Sequence, residues 1–245
     1  MIPPHVLDDL DALSGRARSY LQRVANRVEV PPPGALRVRL DGQAPEAVVH
    51  RMAEFQSRWG GLVLPPLRRQ DEGLRVFAVS GPWFRPSRGW VFDAGHAAPG
   101  PAGGLDAVAG YELDEAGELG MEFSELGWVA FHGSVEGWVE AVALTESVRR
   151  AVAGGELAEA GLLHGESGWV RRVLDEVLPG LRPLPEVRGR ADDWLSDGDP
   201  GSVVLVDARG GAERALRGRA YTRARVYAPP ERAAGIRDSF GSRAE

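Results

Sequence analysis

Apolar positions change their spacing several times along the chain, and each change marks an expected element. Over residues 5–27, Leu7, Leu10, Leu13, Ala17, Tyr20, Leu21 and Val24 recur at steps of three and four, which predicts a helix with one buried stripe. The run VPPPG at 30–34 ends it, because proline supplies no helical donor. In ALRVRL (35–40), Leu36, Val38 and Leu40 alternate with Arg37 and Arg39, the pattern of a half-exposed strand. A second helix opens near Pro45, with Glu46 beside the positive end of its dipole, and carries Val48, Met52, Phe55 and Trp59 inward. FQSRWGGLVLPP (55–66) then passes from helix to strand. Gly60 is expected to leave the helix in a left-handed conformation, Gly61 to release the chain into Leu62–Leu64, and two prolines to end the strand. Glycines that follow a helix do not form a phosphate cradle, which must precede one.

Short strands are expected next, at 74–80 and 89–93, around the turn GPWFRPSR. AVAGYEL and ELGMEF enclose DEAG (114–117), whose Gly117 suits the left-handed position of a hairpin turn. A strand at 128–131 leads to Ser134, a helix cap, and to a helix burying Trp138, Ala141, Val142 and Val148 up to Gly154 and Gly155. Beyond that, a helix from Ser167, strands at 202–207 and 214–227 and a frayed tail from residue 232 are expected. Helices, a meander, then a helix on the sheet describe an α+β fold: an antiparallel meander flanked by helices over 1–154, with a smaller C-terminal α/β extension over 155–245. Trp59 and Trp138, with Gly60, Gly61 and Gly117, are the structural residues of this reading.

Composition narrows the chemistry. The chain has 245 residues and no cysteine, so disulfides, thiol catalysis and cysteine-held zinc are excluded. All 29 basic residues are arginine, which removes any Schiff-base or P-loop lysine. No apolar run approaches the ~20 residues of a membrane helix, and the opening MIPPHVLDDLDALSG lacks the basic and apolar regions of a signal peptide. A soluble, cytoplasmic protein is expected. The net charge of −6 hides an asymmetry. Residues 105–146 hold ten acids and no arginine, whereas residues 208–245 hold nine arginines against four acids.

Three segments resemble the SUKH superfamily, which includes yeast cell-wall-synthesis regulators and many bacterial immunity proteins. They are the helix VVHRMAEFQSRWGG running into a strand, the hairpin YELDEAGELGMEF, and GWVAFHGSVEGWVEAVAL before a closing helix. The resemblance spans roughly residues 40–150. It implies a non-catalytic protein, without cofactor or metal, that neutralises a toxin domain, often a nuclease. The acidic block agrees with that implication, since a nuclease presents a basic cleft to its polyanionic substrate and carboxylates would steer toward it. Glu112, Asp114, Glu115, Glu118, Glu122 and Glu125 are the expected partner-binding residues, with Trp83 and Trp90 as an exposed aromatic anchor. A regulatory or scaffold protein with a non-toxin partner is the alternative.

Other chemistry is thinner. His132 and Glu136 would serve a small hydrolase only if one helix carried both, and Gly133 and Ser134 separate them. Asp93 with His96 supplies two ligands where a metal needs three or four. Asp192, Asp193, Asp197 and Asp199 miss the EF-hand spacing. Tyr221, Arg223, Arg225 and Tyr227 share one strand face that would suit base stacking. The chain's acidity argues against nucleic acid as the main ligand.

Overall fold

The computed structural model describes residues 3–40, 42–66, 72–86, 88–99, 110–123, 127–187, 189, 193–198, 201, 203–207 and 221–241. Two compact units divide the chain: Met1–Glu122 with Gly133–Glu136, and Phe123–His132 with Gly137–Glu245. The second unit therefore takes up most of the helix that the sequence reading places before residue 154.

The first unit opens with turns rather than the helix expected from residue 5. Helix α1, Gly15–Val24, starts where the Ser14 hydroxyl accepts the Ala17 N–H at 3.2 Å. The residues before it are fastened instead by Val6 N–H to the Arg58 carbonyl at 2.7 Å and by the Ser57 hydroxyl to the Pro3 carbonyl at 2.6 Å. Strand β1, Asn26–Arg27, follows. The expected strand at 35–40 is a helix, α2, Pro33–Arg39. Its prolines begin the helix, because their fixed φ suits the first turn. Leu36 and Leu40, four apart, are buried while Val38 is 82% exposed. Helix α3, Glu46–Trp59, buries Val48, Met52, Phe55 and Trp59 as predicted. Fully burying side chains of this size contributes roughly 2–3 kcal/mol each before lost freedom is subtracted.

Strands β2 (Leu62–Leu64), β3 (Glu72–Phe77), β4 (Pro82–Arg85), β5 (Gly89–Pro99), β6 (Gly110–Asp114) and β7 (Leu119–Phe123) continue the sheet. It runs β1-β2-β3-β5-β6-β7, with β4 also on β5, and every pairing with a recorded register is antiparallel. Helix α3 lays Phe55 against Phe77 and Phe92, with ring centroids 6.3 and 5.8 Å apart, and Phe77 stacks on Tyr111. The glycine pair resolves differently from expectation. Gly60 keeps φ −61°, and Gly61 takes the left-handed φ of 84°. A Cβ on Gly61 would lie 2.2 Å from the Val28 carbonyl oxygen, so the sheet closes there only over glycine. One buried amide binds three segments: Gln56 Oε1 accepts the Val79 N–H at 3.0 Å, and its Nε2 donates to the Pro31 carbonyl at 2.9 Å.

The second unit contains strand β8 (Gly127–His132), helix α4 (Val135–Gly154, apart from its first two residues), β9 (Ala158–Glu166), helix α5 (Ser167–Val177), β10 (Arg182–Pro183), β11 (Asp193–Ser196), β12 (Val203–Asp207), β13 (Tyr221–Ala228) and helix α6 (Pro230–Gly241). Its antiparallel sheet runs β10-β11-β12-β13-β9. Successive strand residues face opposite ways, so Leu195 and Val226 pack with α5 and α6 while Trp194 and Tyr227 pack with Ala141, Leu144 and Val148 of α4. Helices thus cover both faces. The tail expected to fray forms α6 because Ala233, Ile236 and Phe240 recur on one face and bury against the sheet. The chain is α+β, with open antiparallel sheets flanked by helices.

Candidate functional site

Two neighbouring hairpins of the first unit bring most of the sequence-selected residues together. In the β6–β7 hairpin, Leu113 pairs with Leu119 and Glu112 with Gly120. The Asp114 carboxylate builds the turn by accepting the Ala116 and Glu118 N–H groups, both at 2.9 Å. Gly117 takes φ 84°, the left-handed position expected of it. Alternation then sends Leu113 and Leu119 toward α3 and sets Glu112 and Asp114 on the opposite face.

Those two carboxylates do not project as free surface charge. Glu112 is 7% and Asp114 6% exposed, and each is held by an arginine of the β4–β5 hairpin. Arg85 bonds Glu112 at 2.8 Å and Glu122 at 3.2 Å; Arg88 bonds Asp114 at 2.7 Å and lies 3.7 Å from Glu118. Burial raises the Glu112 pKa against the opposing pull of Arg85. Its second oxygen, Oε2, is buried without a hydrogen-bond partner, as is Arg85 Nε. The charge count over 105–146 passed over these arginines because they precede it in sequence and meet it only through the β5–β6 pairing.

Three carboxylates remain toward solvent to differing degrees. Glu115 is exposed, and its Oε1 accepts the Trp90 N–H at 2.8 Å. The Glu122 side chain is 40% exposed and that of Glu118 15%. Glu125 lies outside the described residues. Four of these carboxylates meet the guanidinium groups of Arg85 and Arg88, while Arg51 of α3 donates to the Glu115 backbone carbonyl. With Asp93 of β5, the described residues of the two hairpins hold six carboxylates against Arg85 and Arg88, a negative excess of four that Arg51 lowers to three.

Aromatic side chains border this charge. Trp83 and Trp90 are half-buried, and the Arg85 guanidinium sits 5.7 Å from the Trp83 ring centre. The residue that sequence reasoning missed is Phe84, 59% exposed and packed edge-on against Trp90 at 5.7 Å. Its signal was available: Phe84 alternates with Trp83 in a strand, so the two could not share one face. Beside Trp90 a groove of about 310 Å³ is lined by Pro45, Val48, Arg51, Phe92 and Glu115 among others.

The remaining candidates are dispersed. Glu136 lines a second groove of about 450 Å³ with Trp59, Phe92 and Leu113, and His132 does not line it. His132 is 2% exposed, its Nδ1 lacks a hydrogen-bond partner, and burial pushes its pKa down to about 4. The Asp93 carboxylate is occupied by the Ser80 hydroxyl and the Gly95 N–H. Asp197 binds Arg232 at 2.9 Å, while Asp192 and Asp199 lie outside the described residues. On β13, Arg225 is exposed and Arg223 partly so, but Tyr227 packs into the α4 cluster; the Tyr221 side chain is outside those described. Trp59 and Trp138 are buried at 3% and 6%. Among the described residues no helix is long and apolar enough to cross a membrane. No family model, no curated protein and no solved structure matches the chain.

Proposed function

We propose that this protein is a non-catalytic binding protein whose first unit docks a basic partner protein through the β4–β5 and β6–β7 hairpins. The observation that carries the reading is the negative excess of these hairpins next to the exposed Phe84 and half-buried Trp83 and Trp90. Aromatic anchors supply much of the energy of a typical interface, and a net excess of carboxylates speeds encounter with a basic surface while disfavouring acidic ones. Glu115, Glu118 and Glu122 are the charges that a partner would meet; Glu112 and Asp114 hold the arginines in place.

We read the first unit as SUKH-like and the partner as a toxin domain of nuclease type, the role that the resemblance implies. Purification from the source cell identifies the partner, and two measurements then decide. Converting Glu115, Glu118 and Glu122 together to glutamine should slow association and flatten its dependence on salt; an unchanged rate refutes the acidic docking surface. One equivalent of the chain should suppress the partner's nuclease activity. A partner that stays active while bound removes the immunity role and leaves the regulatory or scaffold alternative.

A further inference from the structure

We infer that the partner engages by adding an extended, basic segment as a new strand on the open edge of β4, centred on Phe84. The inference rests on the proposed docking role of these hairpins and specifies the form of the contact. In an antiparallel ladder, directly opposed residues alternate between pairs that exchange backbone hydrogen bonds and pairs that turn theirs away from each other. Phe84 opposes Trp90. The Trp90 N–H goes to the Glu115 carboxylate, on the side away from β4. The Phe84–Trp90 pair is therefore of the second kind, and the Phe84 N–H and C=O point to the edge. A separate bond fixes the same phase: the Gly81 carbonyl accepts the Asp93 N–H at 3.2 Å, and beyond the irregularity where the Ser80 N–H also reaches the Asp93 carbonyl, odd-numbered residues from Gly81 to Arg85 face β5 and even-numbered ones face outward.

Among the described strands β4 pairs with β5 alone. Its outward groups are then the Phe84 N–H, the Phe84 carbonyl and the Pro82 carbonyl. Pro82 has no N–H, so only Phe84 offers both a donor and an acceptor. That restriction sets the register of an incoming strand. The exposed Phe84 ring, edge-on to Trp90, gives the added strand an apolar surface for one side chain. The net negative charge of the two hairpins selects basic neighbours for that side chain.

The probe is an acetylated and amidated peptide of alternating arginine and valine with one central phenylalanine, compared with the same peptide N-methylated at that phenylalanine. The intact chain is followed by amide hydrogen exchange and titration calorimetry. Saturating peptide should slow exchange of the Phe84 N–H at least about tenfold, and N-methylation should weaken binding by roughly tenfold. Phe84→Pro, which removes an outward donor, should melt near the wild-type temperature and lose the peptide. Trp83→Pro, which removes a donor to β5, should melt well below it. An unprotected Phe84 N–H in the saturated complex, equal binding of the N-methylated peptide, or no binding at millimolar concentration overturns the inference. Peptide that binds with strong salt dependence but leaves Phe84 unprotected retains the docking surface and removes only the added strand. Protection of Phe84 that persists, with unchanged association, in the triple glutamine variant does the reverse.

Discussion

Lowering the pH should destabilise the chain through His132, at the end of β8. The ring is 2% exposed, Nδ1 has no partner, and burial holds the pKa at about 4 against the ordinary 6.5. The unfolded chain takes up a proton near pH 6.5, whereas the folded chain resists until about pH 4. Because the folded pKa is depressed, the stability attached to this group is complete above pH 6.5 and is lost as pH falls to about 4. A gap of roughly 2.5 units at 1.36 kcal/mol per unit corresponds to about 3 kcal/mol. Urea unfolding of the wild type and of His132→Leu at half-unit steps from pH 7.5 to 4 isolates the contribution. Other titrating groups, His5 among them, act in both proteins and cancel in the difference. The wild type should lose about 3 kcal/mol more than the variant, nearly all of it below pH 6.5. Parallel curves across this range would refute the reasoning, and so would an imidazole observed by NMR to titrate near 6.5 in the folded protein.

Two further tests probe the first unit. Gly61→Ala must place a Cβ 2.2 Å from the Val28 carbonyl at φ 84° and should destabilise by about 2 kcal/mol or more. Gly34→Ala, in open space within α2, should stabilise by about 0.5–1 kcal/mol; thermal melts compare both. Arg85→Met strips Glu112 of its counter-charge and should cost roughly 3 kcal/mol at pH 7. That loss should shrink in melts at lower pH, since Glu112, its pKa already raised by burial, then protonates and no longer needs the arginine. An equal loss at both pH values would assign the effect to packing over Trp83.

The sequence carried α3, the β6–β7 hairpin and the α4 stripe because each has a long, regular period that a single neighbour buries. It misled at ALRVRL, where Leu36 and Leu40 satisfy steps of two and of four alike, and the prolines before them favoured a helix start. Residues 5–13 carried helical spacing, but their backbone bonds go partly to the end of α3, a partner no local pattern displays. In the tail, Ala233, Ile236 and Phe240 gave a weak stripe among charged residues, and only the sheet beneath makes it a helix. The site divided in the same way. Turn chemistry placed Glu115, Trp83 and Trp90 at the hairpins, but the two tryptophans expected to be exposed are half-buried, and the exposed ring is Phe84. The pairing of Arg85 and Arg88 with Glu112 and Asp114 depends on register between distant strands, which periodicity does not encode.

The Gln56 amide ties the fates of positions far apart in the chain. Its two arms hold Pro31 and Val79, so a change that displaces either segment also withdraws a partner from the group serving the other. Substitutions near residues 31 and 79 should therefore be epistatic, with the double variant less damaged than the two single ones summed, because the same fastening can be lost only once. A lineage that replaced Gln56 would have to rewrite both loops together, which makes this side chain a bottleneck for sequence drift in the first unit.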